Sequence, residues 1–428
     1  MQRKTALLLT VIVAMAFTVR IVVMIHFRSY EISPEAGHWG FGFEAGRLAR
    51  SLALGEGFSS PLIEKSGPSA FLPAGFPLLL AGIFKVFGVY TEASAIAVYA
   101  FNSLAAALTS LALYRLGRRL FGENVGLVIA VVFALHPSSI WHSVNTIWDV
   151  SVLTLLLVLL VDWLYVLPSP PSTQEVVRFG LFMGFVAFVN SAPVVFFPAV
   201  AFLVWSRARR SGASGFKEVA LLAGCCLLLY LPWLVRNLLT VGVFAPRTGS
   251  GLNLRIGNNE QAWRTGTGTA DLSIYPTNSA QEGRLFYQLG EVEYDRYCQR
   301  LATEFIQQNP GKFISLTLMR IRTWWLGQGD DWAIHFKLAF RLSTWKRLLS
   351  LAPLPFFLIG LAIAWRRGKP VGILLALMLT YPIPYYFFFV THRYRFPLEP
   401  FMLLLSVYGA LSMLTWLRAK RRRLSPLQ

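Results

Sequence analysis

The arginines and lysines of this chain fall in short clusters set directly against apolar runs, and that placement limits the available folds more than any other feature. Four clusters recur: Arg115-Leu-Gly-Arg-Arg119, Arg207-Ala-Arg-Arg210, Arg366-Arg-Gly-Lys369 and Arg418-Ala-Lys-Arg-Arg-Arg423. Each borders a hydrophobic segment of the length a bilayer crossing needs, about 20 residues. Cytoplasmic loops carry the excess of Lys and Arg, so the clusters mark one side of a membrane and fix the topology of a polytopic protein. A hydrophobic fraction of 55% with 14% charged residues is far from the composition of a soluble domain. The net charge of +19 is spread along the borders of apolar spans rather than gathered in one patch. It therefore points to anionic membrane lipids and a phosphate-bearing substrate, and away from nucleic acid.

An all-α polytopic membrane protein is expected, with membrane helices near 5–25, 92–114, 124–141, 150–167, 177–191, 193–206, 218–236, 348–365, 370–390 and 396–417. That count of about ten puts both termini and all four basic clusters in the cytoplasm. The N-terminus resembles a signal peptide, but its apolar stretch is too long and no Ala-x-Ala site follows, so it is read as an uncleaved first span. Pro193 and Pro198 make the fifth and sixth spans, joined almost without a loop, the weakest assignments.

Two more segments are hydrophobic, 71–88 and 312–327. Counting either one alone as a span would turn later basic clusters outward. The second, with Arg320, Arg322, Trp324 and Trp325, is expected to lie in the outer interface with its polar ends wet. The chain then divides into a transmembrane core (1–236) with a first outer loop (26–91), a large outer loop (237–347), and C-terminal helices with a basic tail (348–428). Cys225 and Cys226 sit inside an apolar run and are expected to be packing residues.

The outer side is where chemistry is sought. In the first outer loop, Phe43, Leu48, Leu52 and Leu54 give an amphipathic stretch ended by Gly55 and Gly57. A short surface helix there places Glu44 in its first turn, with Arg47 one turn on and well placed to pair with it. The plainer reading is a carboxylate that stabilises a helix N-terminus. Asp149 stands at the outer entrance of the fourth span, where an ionisable residue is a functional candidate unless it is a solvated cap. Asp162, near the inner end of that span, reads as snorkelling. The last outer turn, Thr391-His-Arg-Tyr-Arg-Phe-Pro397, offers Arg393 and Arg395 as a two-pronged clamp for a phosphate, beside His392 and Tyr394. Ordinary headgroup binding by a basic turn is the alternative. None of the six histidines has metal-ligand spacing, and no nucleotide-binding loop or Ser/His/Asp set is present, so no metal is expected.

Taken in order, several stretches resemble the GT-C superfamily of polytopic glycosyltransferases, and most nearly its family 39 branch of protein O-mannosyltransferases and lipid A aminoarabinose transferases. They are Leu52-Ala-Leu-Gly55-x-Gly57-Phe58, Pro73-x-x-x-Pro77 leading to Phe87-Gly88, Arg118-Arg-Leu-Phe-Gly122, the acid Asp149, Gly251-Leu-Asn-Leu-x-x-Gly-Asn-Asn259, and Arg393-Tyr-Arg395-x-Pro397. One departure matters. Many relatives carry an Asp, often Asp-Glu, where this chain has Gly40-Phe-Gly42, so the catalytic carboxylate is Glu44, Glu35 or Asp149, with Glu44 favoured.

The resemblance implies transfer of a hexose or pentose from a polyprenyl-phosphate carrier to a glycan, lipid or protein acceptor on the outer face of the cytoplasmic membrane. It implies no cofactor beyond that lipid-linked donor. It makes Asn258 and Asn259 possible substrate contacts above an apolar prenyl groove. The competing class is a transporter or lipid flippase, which would place ionisable or broken-helix sites at mid-membrane depth rather than at the outer rim.

Overall fold

The computed structural model describes residues 2–34, 38–212, 214–265, 270–327 and 353–424. Among them the fold is all-helical; the one β-bridge, Ser59 with Pro68, merely closes a loop. The first long helix, α1 (Gln2–His26), lies against α4 (Glu92–Phe121), with α2 (Glu44–Ala53) and α3 (Gly75–Phe87) in the loop between them. The next helices are α5 (Glu123–Ala134), α6 (Pro137–Val144), α7 (Val150–Val166), α8 (Thr173–Val189), α9 (Phe197–Arg209) and α10 (Phe216–Val241). The last helix, Glu399–Leu424, packs along the helix Pro353–Arg366.

Small residues let these apolar helices approach closely, as packing in lipid requires. A Cβ on Gly360 would collide with the Leu405 carbonyl, and one on Gly126 would stand 2.7 Å from the Tyr114 carbonyl oxygen. Cys225 and Cys226 are free thiols packed over Gly180 and Gly184, as their apolar setting suggests. The main core joins α4, α7, α8, α9 and the last helix around Leu157, Leu160, Phe179 and Leu404, all fully buried.

Helices stand at all ten expected positions, the eighth beginning outside the described residues. Of the described helices, five are long and apolar enough to cross a membrane, or six if the bent pair α5–α6 counts as one span. Shorter apolar helices hold several other positions; α7 has 17 residues, about 25 Å at 1.5 Å per residue. The 48° break between α5 and α6 leaves carbonyls that no helix turn satisfies. Arg20 of α1 answers this: its guanidinium donates to the Ala134 carbonyl (2.8 Å) and to Ser139 Oγ (2.7 Å), and it is wholly buried.

The basic clusters do gather at one end. Arg115 and Arg119 pair with Asp162 at 3.3 and 3.0 Å, Arg207 donates to the Leu167 carbonyl, and the Tyr165 hydroxyl donates to the Pro370 carbonyl. Thr5 donates to Glu123 at 2.9 Å, bringing the N-terminus to the same end.

Beyond α10 follow α11 (Ser250–Gly257), α12 (Glu260–Arg264), α13 (Ala280–Leu289), α14 (Glu291–Gln308) and α15 (Pro310–Leu326). Arg255 grips Glu282 with two parallel bonds of 2.8 and 2.7 Å, and the Glu291 carboxylate accepts from the Ala70 amide and the Thr248 hydroxyl. Neither α3 nor α15 meets the length and apolarity of a span. Of the polar ends expected to be wet on α15, Arg322 is exposed, but Arg320 and Trp324 are not. Arg320 and Trp324 are fully buried, and Arg320 donates to the carbonyls of Gly257 and Phe387 and to Asn258 Oδ1. An arginine with this many acceptors is a structural pin.

Candidate active site

Glu44 opens α2, as the amphipathic pattern predicts, but an unusual turn delivers it. Phe43 holds φ = +55°, a costly conformation for a bulky residue. The surroundings over-determine it. Gly42, at φ = +99°, lies so close to the Ile147 carbonyl that a Cβ would stand 2.6 Å from its oxygen. The Phe43 ring stacks on Trp148 (5.7 Å) and meets the edge of Trp39 (5.0 Å). The segment carrying Glu44 is thereby locked onto Ile147-Trp148-Asp149, which carries the second acid. Tyr275 reaches in from the segment between α12 and α13, and its hydroxyl donates to Glu44 Oε1. Burial first, and then the Glu44 charge, push the Tyr275 phenol well above its ordinary range, so it stays a donor.

Asp149 immediately precedes α7. Its Oδ2 accepts from Asn190 Nδ2 at 2.6 Å, and Asn190 is fixed in turn by the Ala192 amide at 2.8 Å. Burial pushes the Asp149 carboxyl up, against the opposing pull of the Asn190 bond and the Arg393 charge. The Arg393 guanidinium lies 4.8 Å from the ring centres of both Trp148 and Tyr394 and donates to the Tyr394 hydroxyl at 2.9 Å. Among the described residues no carboxylate is within ion-pair distance of it, yet its charge acts on both Glu44 and Asp149. Arg247, after α10, also acts on Asp149. Asp149, Tyr275, Tyr385 and Arg393 are each half-buried.

The structure thus brings Glu44, Asp149, Arg393 and Tyr394 together. Other expected members are elsewhere. Arg47 stacks on Trp39 at 5.3 Å rather than pairing with Glu44, because it is buried on the packed face of α2. Arg395 donates to Glu399 at 2.8 Å and is buried, so it is not half of a phosphate clamp. His392 is buried against His142 at 3.0 Å. Asn258 is spent on the Leu254 and Phe387 carbonyls, and Asn259 caps α12. Glu35 lies outside the described residues. Sequence reasoning missed Tyr275, Asn190, Trp148 and Arg247; only Trp148, beside Asp149, carried a local signal.

The sequence model of a family described as dolichyl-phosphate-mannose-protein mannosyltransferase matches residues 72–235. The match spans α3 to most of α10, and over that segment the chain is similar to GT-C type membrane glycosyltransferases. No curated protein matches it. Among solved structures it is similar to the oligosaccharyltransferase AglB of Archaeoglobus fulgidus in complex with an inhibitory peptide and a dolichol-phosphate. That match has 13% identity and a TM-score of 0.49, and covers 95% of this chain and 51% of that one. The apo form of the same archaeal enzyme matches with 13% identity over 96% of this chain and 51% of that one, at a TM-score of 0.48. The chain spans about half the length of these structures.

Proposed function

We propose that the protein transfers a sugar from a polyprenyl-phosphate carrier to an acceptor hydroxyl on the outer face of the cytoplasmic membrane, with inversion. One observation carries the reading: two carboxylates and an arginine bound to neither lie within electrostatic reach of one another, at the end of α7 away from the basic clusters. With those clusters in the cytoplasm, both termini lie inside and the site lies at the outer surface.

Glu44 takes the proton from the acceptor hydroxyl as its oxygen bonds to the anomeric carbon. The bond from that carbon to the phosphate oxygen breaks, and the carrier leaves as polyprenyl phosphate. This leaving group is already acidic, so it needs charge stabilisation more than protonation; Arg393, with Arg247 nearby, supplies it. The strained, doubly stacked turn before Glu44 supports its assignment as base. A second assignment has its own support: the raised proton affinity of Asp149 suits a base working near neutral pH.

The test is mass spectrometry of lipid-linked sugars and surface glycans with and without the gene, paired with turnover of purified protein on polyprenyl-phosphate sugars. Carrier consumption coupled to a new glycoside is expected. Movement of an intact lipid-linked sugar across vesicles, with no product, would make the protein a flippase instead.

A further inference from the structure

We infer that Glu399, His392 and His142 form a buried chain that holds Arg393 in place for the donor phosphate, so that all three are positioning residues rather than ligands. The inference rests on the reading of Arg393 given above. Arg393 lies in the first turn of the helical run His392–Lys420, an end whose amides have no partner within the helix. What fixes the turn is the side chains on either side of that arginine. His392 Nδ1 lies 3.0 Å from His142 Nε2 on α6, with the rings stacked at 5.2 Å. His392 Nε2 faces Glu399 Oε1 at 3.3 Å, and Arg395 donates to the same oxygen at 2.8 Å. All four side chains are buried.

The charges give the chain a direction. Arg395 already answers the charge of Glu399. A neutral His392 that turns its Nε2–H toward the carboxylate must present a bare Nδ1 to His142, which then donates from Nε2. Each ring is set in one tautomer by the next group along. His142 in turn stands 6.3 Å from Trp148, the ring on which Arg393 lies. The chain therefore grips the turn from behind and abuts the platform in front of it. An apolar set of the same volume would hold the turn at no greater cost in stability, because burying an ion pair is expensive. Directional bonds fix position as well, and position is what a guanidinium aimed at a phosphate needs.

The experiment measures KM for a polyprenyl-phosphate sugar and kcat, using the full chain reconstituted in bilayers, with thermal unfolding as the check on folding. His392→Leu and Glu399→Asp should each raise carrier KM roughly tenfold, the scale of one hydrogen bond, while kcat changes far less. His142→Gln, whose amide can still donate to His392 Nδ1, should stay near wild type, and His142→Leu should not. In an Arg393→Lys background, His392→Leu should add little, since both act through one guanidinium. Losses that simply multiply, equal behaviour of His142→Gln and His142→Leu, or an unchanged KM in well-folded Glu399→Asp would each overturn the positioning role alone. If Arg393→Lys itself leaves carrier KM unchanged, the phosphate reading fails and the inference falls with it.

Discussion

Helix α7 carries an acid at each end, and the two are treated in opposite ways. Asp162, at the basic end, is buried between two arginines, Arg115 and Arg119, and its charge is fully answered. Asp149, about 20 Å away along the same helix at 1.5 Å per residue, is held by a neutral amide. Arg393, whose charge acts on Asp149, leans on aromatic rings and pairs with neither acid. A membrane protein closes its charges in pairs where they serve only to hold helices together. Charges left open beside one another are costly, and that cost is what marks the Asp149 end of α7 as a candidate site.

The largest test of this contrast falls on the open end. Glu44→Gln keeps the shape but removes the proton acceptor, and turnover should fall about 10²–10⁴-fold, roughly 3–5 kcal/mol of barrier, with carrier binding little changed. Wild-type turnover in Glu44→Gln with complete loss in Asp149→Asn would move the base to the other acid. Next in size is Arg393→Lys. An ammonium cannot present the planar fork of a guanidinium, so carrier affinity should weaken by about one to two decades, read by carrier titration at fixed anionic-lipid content. Equal affinity would reduce the turn to a headgroup anchor.

At the closed end, Asp162→Asn should cost stability and spare chemistry. Arg115 and Arg119 are 57% and 35% exposed, so water answers much of their charge, and the loss should be about 1–2 kcal/mol rather than the larger cost of a wholly buried pair. Thermal unfolding with kcat measured alongside separates the two; a collapse of kcat in folded protein would break the contrast.

The smallest effect lies at the start of α14, where burial pushes the Glu291 carboxyl up. The native state then binds that proton more tightly than the unfolded chain. Its contribution is full at low pH and is lost as pH rises through the native pKa. Hydrogen exchange at Ala70 and Leu252 should report easier opening at pH 8 than at pH 5, by at most about tenfold, with the dependence gone in Glu291→Gln.

Much of this was legible in the chain. The basic clusters marked the end where Asp162, Leu167 and Pro370 meet, because charge asymmetry is local to span borders. The helix at Glu44–Ala53 followed from its own spacing. Most of the errors concern arginines and amides whose partners come from distant segments. Arg320 and Asn258 look free in sequence because carbonyls that occupy them lie in other segments, whereas Arg395 is taken by Glu399, one turn on in the same helical run. Tyr275 is 231 residues from the acid it touches, and no periodicity announces such a contact.

Arg20 has a consequence for how the protein is built. The interruption at Ala134–Pro137 bares carbonyls that lipid cannot satisfy, and the guanidinium that answers one of them belongs to α1, which is made before α5 and α6. Until those two helices arrive, Arg20 has only the Ala16 carbonyl of its own helix to bond among these partners. Settling of the bent pair is thus tied to α1. Arg20→Leu should leave the first helix better inserted on its own and the bent pair worse, a reversal that glycosylation mapping of truncated chains would detect.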